Sequence, residues 1–377
     1  MISPDNPNLH VRGGLKHLKQ QLEGRETCRI AFLGGSITEN ASGHSAMLPA
    51  LLKSKFPDAQ IAVTNAGWSS TCSTSGAFRI ESQVLAGREP DLLVVEFAVN
   101  DHQDAEHARR ECIRGMEGII RRVRRNHPAC GVVMVHYVNP AILAALQRGE
   151  TPVPIAAHEE VAERYGVISV NVAAEVADAI RDERYTWDDY GGTHPGRFGY
   201  EVASNMIMAA IEAGMADSDG RAPTAASLPD ALDAASYDQG EFVDPAEAQL
   251  GEGWKIGKVG RELLPLGGIR RQYEKFDALR SDVIGSELVF EFAGRSIGAF
   301  VLAGPDAGVV EVSVDGDDYV RHDLYHRHSG GLNYPRSVLF ASDLPRGKHE
   351  LKLRISAEKN PKSKGRAAVI LFFEVNR

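Results

Sequence analysis

The sequence predicts a two-domain protein of 377 residues: a three-layer α/β/α sandwich on a parallel, flavodoxin-like sheet, then an antiparallel β-sandwich of jelly-roll type. Three observations lead there. Between residue 25 and about 213, apolar runs of strand length alternate with segments of helical spacing, the pattern of a parallel sheet covered by helices on both faces. Residues 214 to about 245 lose that periodicity and become rich in Ala, Asp, Ser and Pro, as a linker or surface excursion does. Beyond them the hydrophobic period changes to two, the period of half-buried strands. The boundaries that follow are a first domain over 1–215, a linker over 216–244 and a β-sandwich over 245–377.

In the first domain, strands are expected at 29–33, 60–64, 91–99, 131–137 and 167–172. These runs are continuously apolar rather than alternating, which suits strands buried on both faces. Helices fall near 43–56, 74–86, 105–126, 155–165 and 197–213. In the second domain, 287–292, 296–301, 309–314, 350–355 and 368–373 read as strands, separated by turn signals such as Asp315-Gly316-Asp317 and Pro345-Arg346-Gly347. His326 and His328 fall on one face of a strand there, forming a polar surface with Tyr325, Arg327 and Tyr334.

Hydrophobic residues make up 43% of the chain and charged residues 25%, enough apolar content for a sizeable core. A net charge of -9 removes the electrostatic motive for a nucleic-acid partner. The arginine run at 121–125 does not restore it. Ile113, Met116, Ile120 and Val123 recur at helical spacing through the same stretch, so the arginines are expected on the solvated face of an amphipathic helix. No run approaches the roughly 18 apolar residues of a membrane span, so no membrane partner is expected. The N-terminal Met-Ile-Ser-Pro-Asp-Asn-Pro lacks the basic and apolar regions of a secretory signal. Cys28, Cys72, Cys112 and Cys130 are scattered without metal-type spacing. Cytoplasmic residence is the expectation, although a secreted chain trimmed of its leader would read the same.

Chemistry concentrates where the strands end. Gly34-Gly35-Ser36-Ile37-Thr38 follows the first strand, which puts Ser36 on a turn at the strand's C-terminal end, where α/β sheets hold their sites. The paired glycines let the chain turn sharply and leave space beside the hydroxyl, so Ser36 is the candidate nucleophile. The second strand leads to Gly67, the third to Asn100 and Asp101, and the stretch after the fifth to His194 and Pro195, all opening onto the same edge. Gly67 offers an unshielded N–H, Asn100 a side-chain amide and His194 a general base. The Ser36 N–H, the Gly67 N–H and the Asn100 amide make the candidate oxyanion hole. Gly35, Trp68 and Asp101 are the candidate substrate-binding residues, with packing on the sheet edge as the other reading of Trp68 and helix capping as that of Asp101. Asp101, His102, Asp104 and His107 would not all face one way on a helix, and no metal is expected.

These four blocks, in this order and at these spacings, resemble the SGNH hydrolases, also called GDSL-type esterases and lipases, over roughly residues 12–213. The stretch 34–38 is similar to the family's first block in its Gly-Gly-Ser form, Gly67 to the second, Asn100 to the third and His194-Pro195 to the last. Members with this first block and a trailing β-sandwich are often carbohydrate esterases. The resemblance therefore implies hydrolysis of a short acyl ester, acetyl above all, on a small molecule or oligosaccharide, through an acyl-enzyme and without a metal or organic cofactor. A homo-oligomer is left open. Two positions depart from the family pattern: Ala98 stands where the third block begins with Gly, and Gly191 stands where an Asp precedes the His by three residues. Asp188 and Asp189, six and five residues before His194, are the candidates to orient it, with a Ser-His dyad and a backbone carbonyl as the alternative. The rival functions are a longer-chain lipase or thioesterase of the same fold and a catalytically degenerate glycan-binding protein.

Overall fold

Each of the five apolar runs of the first domain contains one strand of a single six-stranded sheet. The computed structural model describes residues 6–217 and 228–377, and the chain divides into two units, Met1–Asp238 and Gln239–Arg377. Part of the expected linker, residues 218–227, lies outside the described residues, as do residues 1–5 of the N-terminal stretch.

In the first unit the strands are β1 (Leu9–His10), β2 (Thr27–Gly34), β3 (Gln60–Gly67), β4 (Leu92–Glu96), β5 (Gly131–Val135) and β6 (Ile168–Val170), in the order β1-β6-β5-β4-β2-β3. β2 to β6 run parallel, and β1 closes one edge antiparallel to β6. The helices are α1 (Lys16–Glu23), α2 (Ser36–Glu39), α3 (His44–Lys55), α4 (Ser73–Ile80), α5 (Ala98–Gln103), α6 (Arg109–Asn126), α7 (Pro140–Gln147), α8 (Val153–Arg164), α9 (Val172–Arg181), α10 (Trp187–Tyr190) and α11 (Arg197–Ala216). Phe32, Val94, Val133 and Val135 of the sheet share a core with Leu18, Leu48, Ile207 and Ile211 from the helices. Two expectations are corrected. β3 is the edge strand, so only its last two residues, Ala66 and Gly67, are fully buried. The run 91–99 is a strand only to Glu96, because Phe97 breaks the extended backbone and Ala98 opens a helix.

The stripe predicted on α6 is buried, but its arginines are not a solvated face. Arg122 and Arg124 are buried, and Arg124 donates to the Cys130 carbonyl at 2.8 Å. Asp238 takes Arg121 at 3.1 Å and Arg125 at 2.5 Å, while Asp233 takes Arg110 at 2.7 Å and Arg114 at 3.0 Å. Between these anchors the Tyr237 ring packs on Phe78 at 5.1 Å. The segment up to Asp238 is thus bound back onto α6 by charge as well as by apolar contact.

The second unit comprises β7 (Gly240–Val243), β8 (Gln249–Leu250), β9 (Lys255–Lys258), β10 (Asp277–Ser281), β11 (Glu287–Gly294), β12 (Ser296–Ala303), β13 (Val309–Val314), β14 (Val320–Asp323), β15 (Tyr334–Ala341), β16 (Gly347–Ile355) and β17 (Ala368–Asn376). They form two antiparallel sheets, β15-β12-β17-β10-β9 with β7 also on β17, and β14-β13-β16-β11-β8. Phe290 of one sheet stacks on Phe373 of the other at 4.1 Å, within a core shared with Leu351, Leu353 and Val310. His326 and His328 lie in the loop after β14 rather than on a strand, with His326 stacked on Tyr334 at 4.1 Å.

The Asp233 anchor is testable. Burial alone would raise this carboxyl, but hydrogen bonds from Arg114 and Arg110 bring it down to about 2. Its stabilisation is present above the unfolded value of about 4 and fades as pH falls toward 2. Asp233→Ala removes the carboxylate from the buried Arg114 and is expected to lower unfolding stability at pH 7 by about 3 kcal/mol in urea titrations, with the difference from wild type shrinking below pH 4.

Candidate active site

Parallel register sets the geometry of the C-terminal edge. Gly34 of β2 pairs with Gly67 of β3 on one side and with Glu96 of β4 on the other. Neither glycine has room for a side chain: a Cβ at 34 would run into Thr38 Oγ1 and Glu96 Oε1, and one at 67 into the Glu39 backbone. The turn leaving β2 is held from below. Glu96 Oε1 accepts the Gly35 N–H at 2.9 Å and the Thr38 hydroxyl at 2.7 Å, and Tyr200 donates to the Ile37 carbonyl at 3.0 Å. The buried Arg79 ties β2 to β3 by donating to the Gly34 carbonyl at 2.9 Å and the Ala66 carbonyl at 2.6 Å.

Above this frame Ser36 Oγ lies 2.8 Å from His194 Nε2. The two residues are 158 positions apart, and both reach solvent. The expected carboxylate on His194 is not there. Among the described residues neither Asp188 nor Asp189 hydrogen-bonds the ring. Asp189 instead closes a capping box at the start of α10, accepting the Thr186 N–H at 2.9 Å and its hydroxyl at 2.7 Å. Gly191 then ends α10 at φ +99°, and a Cβ there would run into the Gly196 nitrogen, so the position that carries Asp in the family cannot hold a side chain here. Among the described residues Ser36 and His194 form a hydrogen-bonded pair with no carboxylate on the ring.

The other predicted residues divide. Asn100 is brought in: it is buried, its amide fills the space a Cβ on Gly35 would need, and it donates to Asp104 Oδ2 at 2.7 Å. Gly67 is adjacent to α2, but its N–H is already given to Asn65 Oδ1 at 2.8 Å, the side chain folding onto the backbone two residues ahead as asparagine does in turns. Trp68 is buried with the Arg79 guanidinium 5.3 Å over its ring, which makes it a packing residue. Asp101 does not face a substrate. It is fully buried, accepting the Ser73 N–H at 2.8 Å and hydroxyl at 2.7 Å, with His158 at 3.0 Å and His107 at 3.5 Å. Burial would raise this carboxyl; the two histidines more than reverse that and hold it ionised well below the usual range.

Cys72, Asp101 and His107 each bring a potential ligand atom within 4.8 Å of the others. The Asp101 oxygens already accept three hydrogen bonds, so this group is read as a buried charge network. Sequence reading missed three features: Glu96, the Glu39 carboxylate that accepts Ser69 N–H at 2.9 Å, and Ser70 at φ +67° in the loop after β3. None carries a motif signal; only the register and the contacts show them.

Residues 32–202 match the GDSL-like lipase/acylhydrolase family. The chain is similar to that family over this stretch, which makes up most of its first unit. It is an ester-bond hydrolase, and the hydrogen-bonded Ser36 and His194 both fall within the matched stretch. Two solved structures of a two-domain esterase active on acetylated mannans, one co-crystallized with mannopentaose, align over 97% of this chain and 96% of theirs, at 20% identity and TM-scores of 0.77 and 0.78. An acetylxylan esterase from Geobacillus stearothermophilus aligns over 49% of this chain and 94% of its own, at 19% identity and a TM-score of 0.39. At 20% identity the likeness to the two-domain esterase is one of fold. Comparison with curated proteins gives no match.

Two outcomes are expected of this GDSL-like site. Gly191→Asp, which restores the family residue, should not build a triad: the left-handed backbone and the clash with Gly196 should lower stability by about 1–3 kcal/mol and reduce activity, measured by thermal unfolding and ester hydrolysis. Burial pushes the Glu96 carboxyl up to about 7, against the hydrogen bonds from Thr38 and Gly35. A folded value above the unfolded one, about 4.3, means that stability is full below pH 4 and lost as pH rises through 7. The wild-type Tm should therefore fall relative to that of Glu96→Gln between pH 5 and pH 8.

Proposed function

We propose that this hydrolase removes short acyl groups, acetyl above all, from a carbohydrate or similar polar alcohol through a Ser36 acyl-enzyme. The observation that carries the reading is the 2.8 Å hydrogen bond between Ser36 Oγ and His194 Nε2 on a solvent-reaching edge of the parallel sheet. As Oγ attacks the ester carbonyl carbon, Nε2 takes its proton. The oxyanion of the tetrahedral intermediate is held by the Ser36 N–H and by the Asn100 amide N–H that does not serve Asp104. His194 then protonates the departing alcohol. Water, giving its proton to the same nitrogen, attacks the acyl carbon and releases the acid and Ser36.

The choice of a carbohydrate ester is supported by the whole-length fold match to an esterase active on acetylated mannans. The short acyl group is supported by the sequence, in which no long apolar lid segment stands out. With no carboxylate on His194 among the described residues, the pair forgoes a contribution worth on the order of ten-thousandfold in a triad, so modest turnover is expected.

Hydrolysis of p-nitrophenyl acetate, butyrate and octanoate by wild type, Ser36→Ala and His194→Ala, followed by acetate release from acetylated manno-oligosaccharides, tests the reading. kcat/KM should fall from acetate to octanoate, and each substitution should lower it by roughly a thousandfold or more. A rising chain-length preference would make this a lipase or thioesterase, and activity retained by Ser36→Ala would remove Ser36 as the nucleophile.

A further inference from the structure

Glu96 is the last residue of β4, is 1% exposed, and lies beneath the nucleophile turn rather than in it. We propose that Glu96 is a positioning residue for the reaction: one carboxyl oxygen clamps the residues on both sides of Ser36 and so fixes where Ser36 Oγ stands against His194. The inference rests on Ser36 being the nucleophile.

Three observations carry it. The two donors to Glu96 Oε1, the Gly35 N–H at 2.9 Å and the Thr38 hydroxyl at 2.7 Å, belong to the residue before Ser36 and the residue two after it. Glycine at 34 is the condition for that clamp, since a Cβ there would meet both Thr38 Oγ1 and Glu96 Oε1. The other oxygen, Oε2, is buried without a partner. The unpartnered oxygen works against the fold, but an apolar side chain in its place would orphan the buried Gly35 N–H and Thr38 hydroxyl, so what the carboxyl supplies here is its hold on the turn.

Because burial keeps the carboxyl protonated up to about pH 7, Oε1 can serve as a neutral carbonyl acceptor with the proton on Oε2. A glutamine reproduces that acceptor at the same reach. An aspartate keeps the acid but is one methylene short, and a displacement of about 1 Å in a reacting group can cost on the order of a hundredfold in rate.

The test compares full-length Glu96→Gln, Glu96→Asp and Thr38→Val with wild type in p-nitrophenyl acetate kinetics at pH 7, in the rate of labelling by a fluorophosphonate probe, and in circular dichroism. Glu96→Gln should keep kcat within about threefold, whereas Glu96→Asp and Thr38→Val should lower kcat about tenfold or more, with KM within twofold and labelling slowed in parallel. Wild-type kcat in both Glu96→Asp and Thr38→Val overturns the clamp, as does a loss in Glu96→Gln equal to that in Glu96→Asp, or a loss in KM alone. If Glu96→Asp fails to fold, Thr38→Val decides, because it deletes one donor at nearly constant shape. Ser36→Ala is the control. Activity surviving in it overturns the nucleophile and the clamp together, while a dead Ser36→Ala beside fully active Glu96→Asp and Thr38→Val refutes the clamp alone.

Discussion

A carboxyl group taken out of water has to be given donors, and Glu96 takes its donors from the turn that carries Ser36. Much of the catalytic edge follows from that demand. The side chain has to pass beside Gly34 to reach Gly35 and Thr38, which rules out any Cβ at 34. The β2–β3 pairing then brings Gly67 against the backbone of α2, where it too must be bare. Arg79 fastens the ends of both strands through their carbonyls, so the turn is built on a base with little freedom to shift. Catalysis by positioned groups needs such a base, because its advantage comes from restricting the reacting atoms before the reaction begins.

The same kind of local demand explains the absent third member of a triad. α10 is a single turn, and a helix that short depends on its ends. Thr186 and Asp189 satisfy the N-terminal groups reciprocally, and Gly191 supplies the left-handed residue at the C-terminus. Both choices take a carboxylate away from His194: Asp189 is committed to the cap, and position 191 has neither the conformation nor the space for an Asp. The loop is locally well formed, and His194 is left with Ser36 as its only partner among the described residues.

The architecture was legible in the sequence because it rests on periodicity. Apolar runs marked all five parallel strands, and period-two runs marked β11, β12, β13, β16 and β17, while β15 (Tyr334–Ala341), as long as β11, went unread. Ser36 and Asn100 stood out in the sequence because each sits in a short block at the end of such a run, and His194 because Gly192-Thr193-His194-Pro195 leads into α11. What escaped was of two kinds. The helices α7 and α9 went unread although both are rich in Ala, Ile, Leu or Val, and their starts are announced by the capping asparagines Asn139 and Asn171. Charged pairings over long separations leave no local trace: Asp238 closes on Arg125 across 113 residues, and Glu96 finds Gly35 across 61. An arginine run then looks like a solvated face, and a glutamate inside the apolar run 91–99 looks like one more strand residue.

Asn100 and Asp101 show how a neighbouring pair can be misjudged as one functional unit. On a helix, adjacent side chains diverge by about 100°, so the turn that aims Asn100 at Gly35 must aim Asp101 elsewhere. Asp101 points into the protein, where it meets Ser73 at the start of α4, His158 on α8 and His107 beyond α5. Its charge costs free energy to bury, and this ring of donors offsets the cost only while α5 keeps its present rotation. The buried charge therefore acts as an orientation lock for the helix, and the amide of Asn100 inherits its aim from it.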